Sequence, residues 1–447
     1  MRSLGKLKQV WRQALSAALA FLLLQGCAAE RTSLNNLTPP IVARVLDTDA
    51  NFLDDLSHRA FLYFWEQADP NTGLVRDRSL VDGSIPPNTD RYAASIAATG
   101  FGLTAMAVAA DHHWIPETLL KDRVRNTLHF FAYQAPGKNG FFYHWLDPQS
   151  GERVRGSEVS SIDTALLLAG VLTVRQRFAK DREIAQLADL IYGNVDFTWL
   201  LDKRGILSHG WRPEVGLLKS NWDTYSEHMI LYMLAIASPT HPIPAKSWYA
   251  WARPKVTYEK YTFINDGPLF TQQYSHAWID FRGLEEAAPS DINWFENAII
   301  ATEVNRDLCI NLRNKFPDYG PNLWGVTASD SVTGYRIWGG PPADNRIDGT
   351  LVPCAPGGSL MLTPQLALAD LRNMRAQFGE KAYGHYGFTD AFNPLTNWYN
   401  PEIIGIDQGI ILLSAENARG GYVWKWFMKN PEIRDAMDRI GFHKVRG

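Results

Sequence analysis

The 447-residue sequence predicts an all-α fold, and three observations carry that reading. Apolar residues recur at helical spacing from residue 52 onward, beginning with the stripe Phe52, Leu53, Leu56, Ala60, Phe61 and Phe64. No Pro/Ser-rich linker divides the chain after residue 48, so residues 49–447 read as a single domain. The helical stretches are joined alternately by short and by long loops, which suits a toroid of helical hairpins better than a four-helix bundle.

Beyond the first stripe, helices are expected near 93–110, 116–133, 158–178, 183–200, 222–237, 291–316, 363–377, 407–417 and 431–440. Thr363-Pro364 and Asn430-Pro431 each place a capping residue before a proline at the first helical turn. A small β-hairpin is expected at Phe141–Leu146 and Arg153–Arg155, joined by the turn Asp147-Pro148-Gln149-Ser150-Gly151. Gly100-Phe101-Gly102 falls inside a helical pattern and reads as a close-packing site. Residues 317–362 form a long loop rich in Gly and Pro, with Trp324, Tyr335 and Trp338, and a loop of that length inside a compact domain is usually functional.

The N-terminus reads as an address. Arg2, Lys6, Lys8 and Arg12 precede an apolar stretch, Ala14 to Leu24, too short to span a bilayer as a finished helix. It ends in Leu24-Gln25-Gly26-Cys27, which resembles the bacterial lipoprotein cleavage box. The expectation is a signal peptide over 1–26, lipidation at Cys27 and a polar tether over 27–48. Ala28 after the cysteine favours the outer membrane, on its periplasmic face, and the lipid is the expected membrane contact. Cys309 and Cys354 remain; they could pair in an oxidising compartment, but Leu308-Cys309-Ile310 reads as a buried thiol.

Composition narrows the function classes. Hydrophobic residues make up 46% and charged residues 20%, and the net charge of −3 gives no clustered basic surface for nucleic acid. Sixteen Trp, 17 Tyr and 21 Phe exceed what a core of this size requires and suit a groove that stacks against sugar rings. There is no Gly-x-Ser-x-Gly elbow, P-loop, His-Glu-x-x-His or Cys/His zinc spacing, so no metal or organic cofactor is expected.

Several carboxylates stand where they are expensive to bury. Glu158 and Asp163 open one apolar helix, and Asp407 begins another in Gly405-Ile406-Asp407-Gln408-Gly409. Asp223 and Glu227 lie four apart in Asn221-Trp222-Asp223-Thr224-Tyr225-Ser226-Glu227-His228, expected on one helix face. Asp407 and Glu158 could simply cap their helices. Glu227, expected inside a helix, has no such explanation and is the best candidate for a cavity-facing role. Glycoside cleavage commonly uses one protonated acid and one ionised partner, and Trp222, Tyr225 and His228 could desolvate Glu227 and keep its proton.

At these segments the chain resembles the bacterial glucoamylase-like family, which includes β-1,2-glucan-degrading glycoside hydrolases of family 144, with related domains in cyclic β-1,2-glucan synthases. The matching stretches are Phe61–Trp65, Ala94–Leu103, Glu158–Leu168, Asn221–Leu231, Gln273–Arg282, Trp324–Asp330, Gly384–Asn393 and Gly405–Gln408. The resemblance implies an (α/α)6 toroid, a six-hairpin barrel with its active site in a groove at one end. It implies inverting hydrolysis of β-1,2-glucan without metal or organic cofactor; endo action is the leading reading, and a monomer is expected. It also implies Glu227 as acid and Asp407 as base, with Glu158 and Asp163 lining sugar subsites. A helix start should favour the ionised form of Asp407. Trp222, Tyr225, His276, Trp324, Tyr335, Trp338 and Trp398 are the further candidate substrate-binding residues. The alternatives left open are an exo-acting or transglycosylating enzyme, and a non-catalytic glucan-binding lipoprotein of the same fold.

Overall fold

Two kinds of helix alternate along the chain, and their burial tells them apart. The computed structural model describes residues 48–85, 90–338 and 346–445. The expected signal peptide, Cys27 and nearly all of the tether lie outside the described residues. In chain order the helices are α1 (Asp49–Glu66), α2 (Ile96–His112), α3 (Glu117–Tyr133), α4 (Ser161–Arg177), α5 (Arg182–Gly193), α6 (Met229–Ala237) and α7 (Tyr274–Trp278). They continue with α8 (Trp294–Asn311), α9 (Cys354–Gly358), α10 (Pro364–Phe378), α11 (Gly405–Gly420), α12 (Tyr422–Phe427) and α13 (Pro431–Ile440).

Helices α2, α4, α6, α7, α9 and α11 are buried almost all round. Helices α1, α3, α5, α10 and α13 bury a single stripe. The buried set forms a closed inner ring. α2 packs on α4, α4 on α6, and α6 on α7. The 3₁₀ turn Leu269–Gln272 carries the ring to α9, α9 packs on α11, and α11 returns to α2. Gln273 seals the join, its amide donating to Ala355 O at 2.8 Å and Ser359 Oγ at 2.9 Å. The one-sided helices pack outside, α1 on α11 and α2, α3 on α5, and α10 on α9, giving the expected α/α toroid.

The α2–α4 crossing shows why two glycines stand there. A Cβ on Gly100 would lie 2.2 Å from Leu166 O, and one on Gly170 would lie 2.1 Å from Gly100 O. Two rigid backbones meet, so no side chain can yield. Gly100→Ala should cost at least about 1–3 kcal/mol, the usual range for overpacking, read as a lowered urea midpoint.

The inner helices begin at a rim of short β ladders. Ala94–Ser95 pairs with Trp145–Leu146, Val159–Ser160 with Gly210–Trp211, and Glu402–Ile404 with Arg78–Leu80. Ser95 and Ser160 cap α2 and α4 by accepting from Ala98 N and Asp163 N. These ladders fix the backbone just before α2, α4 and α11.

Five sequence expectations need correction. The helix expected over 222–237 begins only at Met229, because the preceding backbone bonds elsewhere: Tyr225 N donates to Ala252 O and Ala252 N to Asp223 O. Asp223 and Glu227 therefore share no helix face. The 183–200 helix stops at Gly193, and Asp196 caps a separate 3₁₀ turn, Phe197–Leu200. The expected hairpin keeps its turn and a Leu146–Arg153 bridge, but Phe141–Phe142 pairs with Gly137–Lys138 and Trp145–Leu146 with Ala94–Ser95. The long 317–362 loop contains an inner helix, α9, hidden by its sequence Cys-Ala-Pro-Gly-Gly. Thr363 and Asn430 do precede α10 and α13, but neither side chain caps; the Asn430 amide instead donates to Leu172 O and Phe427 O.

Candidate active site

Acidic side chains gather at the N-terminal rim of the inner ring. On one side, Glu158 precedes the Val159–Ser160 strand and Asp163 lies in the first turn of α4. Ser160 and Asp163 bond reciprocally, the hydroxyl donating to Asp163 Oδ2 at 2.5 Å and accepting from Asp163 N at 3.2 Å. Glu158 is thus not the cap. Its carboxylate takes His144 Nδ1 at 3.0 Å and Arg212 Nη2 at 3.2 Å. The His144 hydrogen bond outweighs burial and holds Glu158 at about 2. His144 also reaches Asp163 Oδ2 at 3.5 Å. Burial opposes protonation of His144, but Asp163, Glu158 and Asp77 together raise its pKa. Among the described residues His144, Glu158 and Asp163 are the one group whose donor atoms, all within 4.8 Å, could hold a metal ion. His144 and Arg212 already balance both carboxylates, so the cluster reads as an ion-paired wall.

Glu227 sits in the turn before α6. Its carbonyl accepts from Ser275 Oγ of α7 at 2.8 Å, and the Ser226 hydroxyl donates to Glu227 Oε2. Its carboxyl is enclosed by protein yet part of its surface stays open. Burial raises its pKa, against the Ser226 hydrogen bond, and the Asp163 charge adds to the rise.

On another arc of the ring, Asp407 occupies the first turn of α11. Burial raises its pKa well above the carboxylate range, and Asp390 raises it further, while a hydrogen bond with the Cys354 thiol opposes. This corrects the expectation that a helix start keeps Asp407 ionised: desolvation and a second carboxyl outweigh the helix dipole. Glu227 and Asp407 are thus both pushed toward their protonated forms.

Behind Asp407 lies a network that the sequence reading did not single out. Asp390 Oδ2 accepts from Asp330 N at 2.9 Å and Asn400 Nδ2 at 3.0 Å. Arg78 Nη1 donates to Asp330 Oδ2 at 2.8 Å and Glu402 Oε2 at 2.7 Å. Glu402 also accepts from Arg91 and Tyr92. Burial alone would raise Glu402, but these donors overcome it and hold it at about 2. Asp330 and Asp390 stand inside the matching stretches Trp324–Asp330 and Gly384–Asn393, so an acidic residue in a matched loop was the available signal. Arg78 and His144, isolated in their local patterns, carried none.

The expected aromatic contacts need sorting. Tyr335 is 53% exposed in the loop beside Asp407, whose charge acts on it. Trp398 is half-buried on the ribbon formed by Phe392–Asn393 and Trp398–Tyr399. The other five are core. Trp222 donates through Nε1 to Ser161 Oγ at 2.9 Å and stacks on His209. Tyr225 donates to Gln272 Oε1 at 2.7 Å and stacks on Trp294, supporting the turn that holds Glu227. His276 and Trp324 have no exposed surface, and Trp338 is buried as well. Burial depresses the His276 pKa to about 3, leaving a neutral packed ring. His276 and Trp324 cannot touch a substrate without opening the core. Trp324→Ala should accordingly cost about 3–5 kcal/mol of stability in urea unfolding while leaving KM unchanged. Cys309 and Cys354 are both free and buried, so the possible pairing is not formed.

An α/α ring whose inner-helix starts carry carboxylates from several arcs can set an acid and a base on different helices of one site. The family model Glycoamylase, "Putative glucoamylase", matches residues 219–431. The chain is 30% identical to an endo-β-1,2-glucanase from Chitinophaga pinensis solved with sophorotriose and glucose, over 89% of this chain and 99% of that one, with a TM-score of 0.82. It is 27% identical to a β-1,2-glucanase from Parabacteroides distasonis, over 88% of this chain and 60% of that one, with a TM-score of 0.80. A further relative is the exo β-1,2-glucooligosaccharide sophorohydrolase (non-reducing end) of P. distasonis, 28% identical over 435 residues and 88% of this chain. The chain spans 58% of that protein's length. The chain belongs to the glucoamylase-like family of glycoside hydrolases.

Proposed function

We propose that this protein hydrolyses β-1,2-linked glucan by endo-acting, inverting cleavage. The observation that carries the reading is the placement of two carboxyls, half-buried Glu227 and buried Asp407, at the starts of two different inner helices of one ring. The relatives named for β-1,2-glucan supply the linkage. Glu227, enclosed and proton-retaining, donates its proton to the glycosidic oxygen as the C–O bond breaks. Asp407 removes a proton from water as the water oxygen bonds to the anomeric carbon from the opposite face. Glu158 and Asp163, fixed by His144 and Ser160, present acceptors for sugar hydroxyls along the wall. Tyr335 offers an exposed ring for stacking.

The test is to incubate the protein without residues 1–26 with linear β-1,2-glucan and with β-1,3-, β-1,4- and α-1,4-glucans, sizing products over time. Early appearance of mixed-length β-1,2-oligosaccharides supports the reading. Sophorose released alone from the first minutes points to exo action, and cleavage of another linkage refutes the substrate.

The lipoprotein reading of the N-terminus stays part of this proposal and places the enzyme on the periplasmic side of the envelope. Cys27→Ser should then move the protein from the membrane fraction to the soluble periplasm. A wild-type protein already soluble and unlipidated refutes it.

A further inference from the structure

Asp390 is 2% exposed, and its two oxygens have different surroundings. Oδ2 is held by Asp330 N and Asn400 Nδ2. Oδ1 is buried with no donor from any residue in its charged state. The Asp390 carboxyl lies within hydrogen-bond reach of Asp407. Two acceptors cannot bond to each other unless a proton lies between them, so this contact requires one of the two carboxyls to be protonated.

We propose that Asp390 is the proton-sharing partner of Asp407, so that the base of the reaction is the carboxyl pair and not Asp407 alone. The proposal rests on the hydrolytic reading above. It resolves a difficulty in that reading: a carboxyl buried as Asp407 is keeps its proton, and a protonated carboxyl takes none from water. A pair holding one proton still carries one negative charge. The surroundings decide where that charge rests. Two hydrogen bonds and the nearby Arg78 favour it on Asp390, which titrates at about 6, whereas Asp407 lies well above. Asp407 then donates to Asp390 Oδ1 in the resting state.

In the reaction the water O–H bond breaks and its proton goes to the Asp407 oxygen that faces the groove. The proton Asp407 already holds passes to Asp390 Oδ1, and the water oxygen forms its bond to the anomeric carbon. Glu227 delivers its own proton to the departing oxygen, so the pair ends doubly protonated and Glu227 ionised. One proton returning from the pair to Glu227 through solvent restores the start. The groups that face the pair are the Cys354 thiol, Asp77, Asp330, Arg78, Tyr274 and Tyr335. Asp330 and Asp77 raise the pair's affinity for its proton, while Arg78 opposes.

The test uses Asp390→Asn and the reciprocal Asp407→Asn in the intact chain. The amide oxygen at 390 can keep the bonds from Asp330 N and Asn400, so folding should survive, and thermal unfolding checks this. Infrared pH-difference spectra of the carboxyl band read the titration without substrate. The Asp407 titration is the one missing from Asp407→Asn, and Asp390→Asn should lower it by about one unit or more, because both the charge and the hydrogen bond of Asp390 raise it. Asp407→Asn should remove the Asp407 titration and raise the transition near 6, because the Asp407 hydrogen bond holds Asp390 down and an amide is the weaker donor. On β-1,2-glucan, Asp390→Asn should lower kcat about tenfold or more with KM within about twofold. An unmoved Asp407 titration overturns the pairing even in a fully active enzyme. A loss confined to KM overturns the role in the chemistry. A wild type that cuts no β-1,2-glucan refutes the hydrolytic reading, and the infrared arm still decides the pairing.

Discussion

Glu227→Gln should lower kcat on β-1,2-glucan by roughly 10²–10⁴-fold, the usual share of general acid–base catalysis, with little change in melting temperature. The amide fills the same space and can accept from the Ser226 hydroxyl as the carboxylate does, so the turn before α6 keeps its shape. It cannot release a proton to a departing sugar oxygen. The burial that raises the Glu227 pKa keeps the acid loaded at pH values where an exposed glutamate has ionised. Activity of the wild type should therefore fall on the alkaline side as Glu227 loses its proton, and that limb should be missing from the residual activity of the variant. Steady-state kinetics across pH reads both. Near-normal turnover in Glu227→Gln removes this residue from the mechanism.

Asp407→Asn should produce a loss of similar size, roughly 10²–10⁴-fold in kcat, for the complementary reason. Without the carboxyl, water at the anomeric carbon keeps both its protons. The amide at 407 fills the same space and can still donate to Asp390, so the variant should be about as stable as the wild type toward urea at neutral pH. Loss of activity with retained stability separates a chemical role from a structural one. A variant that loses activity and unfolds early would count against the assignment.

How much of this was readable in advance depends on what each residue's signal consisted of. The outer helices were legible because a single buried stripe imposes a period of 3.6, as in α1, α3 and α13. The inner helices α7 and α9 were not: five residues cannot display a period, and Cys-Ala-Pro-Gly-Gly looks like a loop until the ring around it is known. Glu227 was picked out by the apolar run that follows it, Met229 to Leu231, although the helix it was placed in starts two residues later. The aromatic residues misled because a tryptophan has the same composition value in a groove and in a core. Trp324 and His276 are enclosed by segments far away in sequence, which no local pattern reports. The electrostatics of Asp407 were illegible for the same reason, since the carboxyl that shifts it, Asp390, belongs to another loop. Gly100, in contrast, was read correctly as a close approach, because a glycine within an apolar helix has few other uses.

The central claim is that two opposed carboxyl centres, Glu227 and the one at Asp407, cleave a β-1,2 bond with water attacking from the far side of the sugar. Proton NMR of the first products from linear β-1,2-glucan, recorded before mutarotation, tests it directly. The account predicts that the newly formed reducing ends appear first as the α-anomer, with the β-anomer growing in later. Initial release of the β-anomer would mean retention and contradict it.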